Sequence, residues 1–184
     1  MRRMIESVGP NWSPDQQQLR ASENNSVAHI NTLLFILATP PETSGSRTTA
    51  RIEMAREVMG FPSARAVNLF PLTTKSVIDI STLGIERDPW ASNRCTLMNE
   101  LEDASEIVLA YGVTEPSGPA KLHHRWQVEW LKEQIVQLGI PTWTVGGRPR
   151  HPSRWQRYTS KVHPSLAFRD ALRRSLQLDV VTPS

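Results

Sequence analysis

The 184-residue chain reads as an α/β protein, a three-layer sandwich around a central four-stranded parallel sheet. Three observations predict this. Four short, rather continuously apolar runs recur along the chain, as in strands buried on both faces. Longer stretches between them carry apolar residues at helical spacing. Strand and helix therefore alternate, and such connections place helices on the faces of a parallel sheet.

Each element has its own signal. Ser13-Pro14 followed by Asp15 to Arg20 has the composition of a helix start. The first strand is Leu33 to Ala38. A helix over Thr49 to Met59 puts Ile52, Ala55 and Met59 on one face and stops at Gly60. The second strand is Ala64 to Phe70, and a helix over Ala91 to Leu101 follows, with Leu97, Met98 and Leu101 apolar. Ile107 to Tyr111 is the third strand. The long helix Pro119 to Leu138 carries Leu122, Trp126, Trp130, Leu131 and Ile135 and ends at Gly139. Pro141 to Val145 is the fourth strand, and His163-Pro164-Ser165 opens a last helix that runs from Ser165 to Leu176. Residues 1–12 and 179–184 read as loose ends, which leaves one domain over 13–178.

Composition bounds the function. A hydrophobic content of 39% against 21% charged places the chain among globular proteins. Cys95 is the only cysteine, so no internal disulfide and no Cys-built zinc cluster exists. Met1 to Glu6 lacks the apolar core of a signal peptide, and Leu33 to Ala38 is too short to cross a bilayer. The expectation is a cytoplasmic monomer with no membrane partner. No Walker loop, Gly-x-Gly-x-x-Gly or Gly-x-Ser-x-Gly motif is present, and His123-His124 diverge on a helix, so no cofactor and no metal are expected.

Charge is unevenly placed. Lys121 to Arg174 holds eleven Lys or Arg against three acids, while Glu86 to Glu115 holds seven acids against Arg87 and Arg94. Arg148, Arg150, Arg154, Arg157 and Lys161 fall within sixteen residues that contain no acid. A one-sided basic segment is the footprint of a polyanion partner, although a solvated surface has the same composition. Trp143, Trp155 and Tyr158 lie among these cations, where rings can stack on bases or simply fill a core.

In a parallel sheet, ligands bind beyond the carboxyl ends of the strands. The segments there hold the unusual residues. Thr39-Pro40-Pro41-Glu42 with Ser44, Ser46, Arg47 and Thr48 follows strand one, where hydroxyls and helix-start amides can hold phosphate or merely cap the helix. Asn68 ends strand two, as an amide that needs a partner. Tyr111-Gly112 ends strand three. Gly146 to Trp155 follows strand four and carries His151, whose cationic surroundings favour a neutral imidazole able to donate to an oxygen gaining negative charge.

Two resemblances rest on these residues. The set Asn68-Leu69-Phe70, Asp88-Pro89 with Asn93, Ala110-Tyr111-Gly112 and Gly147-Arg148-Pro149-Arg150-His151-Pro152 resembles a bacterial family known only as a domain of unknown function. Its members show Asn-Pro-Ser-Thr, Asn-Leu-Phe, Asp-Pro, Ala-Trp-Gly and Pro-Arg-His-Pro-Leu in that order. The likeness spans approximately Leu33 to Tyr158, and the Arg-His-Pro loop is its most specific piece. The same order resembles the uracil-DNA glycosylase superfamily, with Asn68, Tyr111-Gly112 and His151-Pro152-Ser153 at the places of its base-reading Asn, its Trp-Gly and its His-Pro-Ser loop. Thr39 departs from the pattern: the superfamily has an acid or amide there, and Thr is no general base.

The resemblance implies a uracil-DNA-glycosylase-like sheet and a monofunctional DNA N-glycosylase. Such an enzyme flips a modified base out of duplex DNA, hydrolyses its N-glycosidic bond and leaves an abasic site. It further implies a setting in defence against phage with modified DNA. In that reading His151, Glu42 and Asn68 are catalytic: His151 stabilises the leaving base, Asn68 orients it, and Glu42 faces the sugar cation and positions water. Thr39, Pro40, Asn68, Phe70 and Tyr111 bind the base. Arg148, Arg150, Ser153, Arg154 and Arg157 grip the backbone, Ser44, Ser46, Arg47 and Thr48 touch it from the other side, and Trp155 or Arg154 fills the gap left in the stack. Three alternatives stay open: a non-catalytic nucleic-acid or nucleotide sensor, a nucleotide N-glycosidase or base-transfer enzyme, and a plain interaction protein.

Overall fold

The computed structural model describes residues 31–42 and 44–179. The helix expected from Ser13 lies outside them. The elements run β1 (Thr32–Leu37), α1 (Ser46–Met59), β2 (Ser63–Asn68), α2 (Val77–Leu83), α3 (Asp88–Ser92), α4 (Arg94–Glu102), β3 (Glu106–Leu109), α5 (Pro119–Leu138), β4 (Thr142–Val145), α6 (Pro152–Val162), α7 (Phe168–Ser175) and β5 (Leu176–Leu178). The sheet order is β2-β1-β3-β4-β5. The first four are mutually parallel, and β5 runs antiparallel to β4.

β1 is an interior strand, and all six of its side chains are buried. Their alternation feeds two cores. Leu33, Phe35 and Leu37 meet Ile52 and Ala55 of α1, Trp155 of α6 and Leu172 of α7. Leu34 and Ile36 meet Leu97 and Leu101 of α4 and Leu131 and Ile135 of α5. The sheet therefore lies between two helical layers, and each fully buried Leu, Ile or Phe contributes about 1.5–3 kcal/mol. A third cluster, Phe70, Ile80 and Trp90, lies under the segment after β2. None of the described helices is long and apolar enough to cross a membrane.

Several expectations need correction. Among the described residues the sheet has five strands where four were expected: Leu176 leaves helical geometry, and Leu176 and Leu178 pair with Val145 and Trp143. The last helix starts at Phe168, so His163 ends α6 and Pro164-Ser165 lie in a turn. β2 stops at Asn68 and is an edge strand whose Arg65 and Ala66 are exposed, and β3 stops at Leu109. The helix expected over Ala91 to Leu101 is divided at Asn93, whose side chain is committed to the carbonyls of Asn68 and Leu69 at 2.7 and 3.1 Å.

Two helices were not expected. α6 follows directly on His151: Pro152 suits a first helical position, and Pro152, Trp155 and Thr159 form its buried stripe. The surrounding Arg, Gly and Pro disguise that stripe. α2 begins after Ser76, where the Asp79 carboxylate accepts from the N–H groups of Lys75 and Ser76 at 2.7 and 3.1 Å. A Ser followed three residues later by an acid is a legible start signal, here hidden by weak apolar periodicity.

Candidate functional site

A cleft of about 940 Å³ opens beyond the carboxyl ends of the four parallel strands. It lies at the switch between β1 and β3, from which the chain leaves toward opposite edges of the sheet. All four strand-end segments contribute to it, as the sequence implied.

From the end of β1, Thr39, Pro41, Ser44, Gly45 and Thr48 line the cleft. The Thr39 hydroxyl is 2.8 Å from that of Thr74. Pro40 is not in the lining; its carbonyl accepts from the Thr74 N–H at 3.4 Å. Glu42 is also outside it: its half-exposed carboxylate pairs with Lys75 Nζ at 3.4 Å. Ser46 and Arg47 are exposed and outside the lining. Gly45, in left-handed geometry at φ 62°, caps α1 without any hydroxyl, so Ser44 and Thr48 are not spent as caps. Thr43 lies outside the described residues.

Asn68 ends β2 and lines the cleft. Its carbonyl is held by Asn93, but its carboxamide Oδ1 is buried without a partner. A buried amide lacking a bond costs free energy, and a ligand edge that pairs with it recovers that cost. Phe70, expected among the base-binding residues, does not line the cleft. It is fully buried, with its ring 4.5 Å from that of Trp90.

Tyr111 follows β3 and lines the cleft. Burial, aided by the charge of Asp179, pushes its phenol up to about 12, so it stays a neutral donor. Gly112, at φ 98°, donates its N–H to the Pro149 carbonyl at 2.5 Å and joins the third rim segment to the fourth.

In that fourth segment His151 caps α6. Its Nδ1 accepts from the Ser153 N–H at 3.2 Å and lies 2.9 Å from the Ser153 hydroxyl. Burial, with Arg154 and Arg51 nearby, lowers its pKa. The ring is thus neutral, and because Nδ1 accepts a backbone N–H, its proton sits on Nε2. Arg150 lies over the Tyr158 ring at 4.1 Å, and its Nη1 is buried without a partner. Tyr158 in turn packs where a Cβ on Gly146 would stand. Trp155, expected to fill a gap in a base stack, does not line the cleft. It is fully buried beside Phe35, and its Nε1 donates to the Arg150 carbonyl at 2.6 Å.

Among families, the one described as "Protein of unknown function (DUF1643)" matches residues 20–153, more than half of the chain. The chain belongs to this family. No curated protein and no solved structure matches it. The match to DUF1643 takes in Thr39, Asn68, Gly112 and His151, whereas Arg154, Arg157, Tyr158 and Lys161 follow it.

The electrostatics of this DUF1643 cleft are one-sided. Lys75, Arg148, Arg150, Arg154, Arg157 and Lys161 line it, and among the described residues no Asp or Glu does. Among the described residues, only Lys75 of these six has an ion pair. Thr74, Lys75 and Ser76 were not anticipated as site residues. The polar run before α2 was their only signal, and nothing in it states that the chain returns to the mouth of the cleft.

Proposed function

We propose that this protein is a DNA N-glycosylase that extrudes a modified base from a duplex and hydrolyses its N-glycosidic bond. One observation carries the reading: Asn68, whose buried carboxamide Oδ1 lacks a partner, and His151, whose burial disfavours the imidazolium, line the same cleft, where cations but no acids are found among the described residues. The carboxamide offers both a donor and an acceptor to a base edge. Nε2–H of His151 donates to a base oxygen as negative charge builds there. Arg148, Arg150, Arg154, Arg157 and Lys161 suit the flanking phosphates. The setting in phage defence, a monomeric state and a cytoplasmic location belong to the same proposal.

Glu42 takes a reduced part. It holds Lys75 at the mouth and does not line the cleft. The carboxylate-free lining also favours a second reading, a sensor that binds an extruded nucleotide without cleaving it. Mass spectrometry of bases freed from natural and viral DNAs separates the two. Release of a base, lowered by about 10²-fold or more in His151→Ala and Asn68→Ala, is the expected result. Tight duplex binding with no base released selects the sensor.

A further inference from the structure

Hydrolysis needs a positioned water as well as a stabilised leaving base, and among the described residues no carboxylate lines the cleft to hold one. We propose that the Thr39–Thr74 hydroxyl pair positions the attacking water. This inference rests on the glycosylase reading.

The pair sits just past the end of β1, with Thr39 two residues beyond Leu37, the register partner of Asn68. Both side chains line the cleft, and Thr74 is only 8% exposed. The two segments are fixed to each other by a backbone bridge between Pro41 and Thr74 and by the Thr74 N–H bond to Pro40. Of the two hydroxyl protons, the mutual 2.8 Å bond uses one. The other O–H and the remaining lone pairs are left to donate to and accept from a water.

No strong base is required of them if the bond breaks first. The C1′–N bond cleaves with its electron pair going to the base, whose anion His151 stabilises through Nε2–H. The sugar becomes an oxocarbenium ion, and the held water adds its oxygen to C1′. The water's proton ends, through solvent, on the released base. One water is consumed, and one base and one abasic site are formed.

The test uses single-turnover release from duplexes carrying uracil, hypoxanthine, 5-hydroxymethyluracil or 5-hydroxymethylcytosine. Thr74→Val, with duplex affinity unchanged, and the less buried Thr39→Val are each expected to lower the rate by about tenfold or more, because misplacing a reactant is costly. Thr74→Ser, which keeps the hydroxyl, restores the rate. In aqueous methanol the Val variants shift the product from the abasic sugar toward its methyl glycoside, a partition that a merely structural role leaves unmoved. Wild-type rate and partition in a folded Val variant overturn the inference and leave the glycosylase reading standing. A wild type that frees none of the four bases overturns both.

Discussion

Arg65 and Arg154 carry the same group in opposite surroundings. Arg65, on the edge strand β2, meets Glu100 at 2.5 Å and Asp103 at 3.1 Å, and both partners raise its pKa. Arg125 and Lys121 share Glu115, and Arg169 meets Glu57. Arg87 and Arg94 lie on the rings of Trp126 and Trp130 at 3.8 and 4.8 Å. Away from the cleft, then, these cations are answered within the fold. At the cleft, Arg148, Arg150, Arg154, Arg157 and Lys161 have no acid within ion-pair distance among the described residues. Like charges gathered without counter-charge repel one another, an arrangement that favours an anion from outside. Local pairing, more than the overall net charge of +3, distinguishes the two regions.

The largest expected effect comes from removing the support beneath the unpaired array. Trp155→Ala empties a fully buried site and loses the bond to the Arg150 carbonyl. It should cost about 3–5 kcal/mol of unfolding free energy, read by urea denaturation. A smaller effect isolates the charges. Arg154→Ala with Arg157→Ala should weaken duplex binding by about a hundredfold at moderate salt. Five phosphate contacts give a slope of about −4.5 for log affinity against log salt, and the double variant should flatten it by about two. Arg65→Ala should leave both affinity and slope unchanged. Equal losses in the two variants would erase the contrast.

The smallest effect is in pH. His151 and His124 both have lowered pKa values, chiefly through burial, so the folded state resists their protonation. Their contribution to stability is full above the ordinary histidine value of about 6.5 and declines as pH falls below it. Melting temperature should drop over that interval, and His124→Gln should remove part of the drop. His124 packs edge-on against Tyr111 and Trp90, so its protonation is also felt at the cleft wall.

Much of this arrangement was legible in the sequence, for identifiable reasons. β1 declares itself through an apolar run, and the strand-end rule then points to Thr39, Asn68, Tyr111 and His151 without any knowledge of packing. The errors share a cause. Trp155 and Glu42 lie next to cleft residues in the chain and Phe70 lies two positions from one, but closeness along the chain does not fix where a side chain points. Phe70 and Trp155 turn inward to the core, and Glu42 turns outward to Lys75. β5 was missed because three residues are too few to show a period, and their pairing depends on β4 being already in place. Thr74 was missed because its role comes from a contact thirty-five positions distant along the chain.

The two cross-links at the mouth divide it into jaws. Thr39 and Pro41 are fastened to Thr74, and Gly112 is fastened to Pro149. Between these halves, the last backbone bond joining β1 to the chain after β3 is Ala110 N–H to the Ile36 carbonyl. Widening the mouth along this seam would leave both fastenings intact, while prying either jaw open would break one. A guest that touches both halves therefore bridges this seam, with one fastening on either side of it.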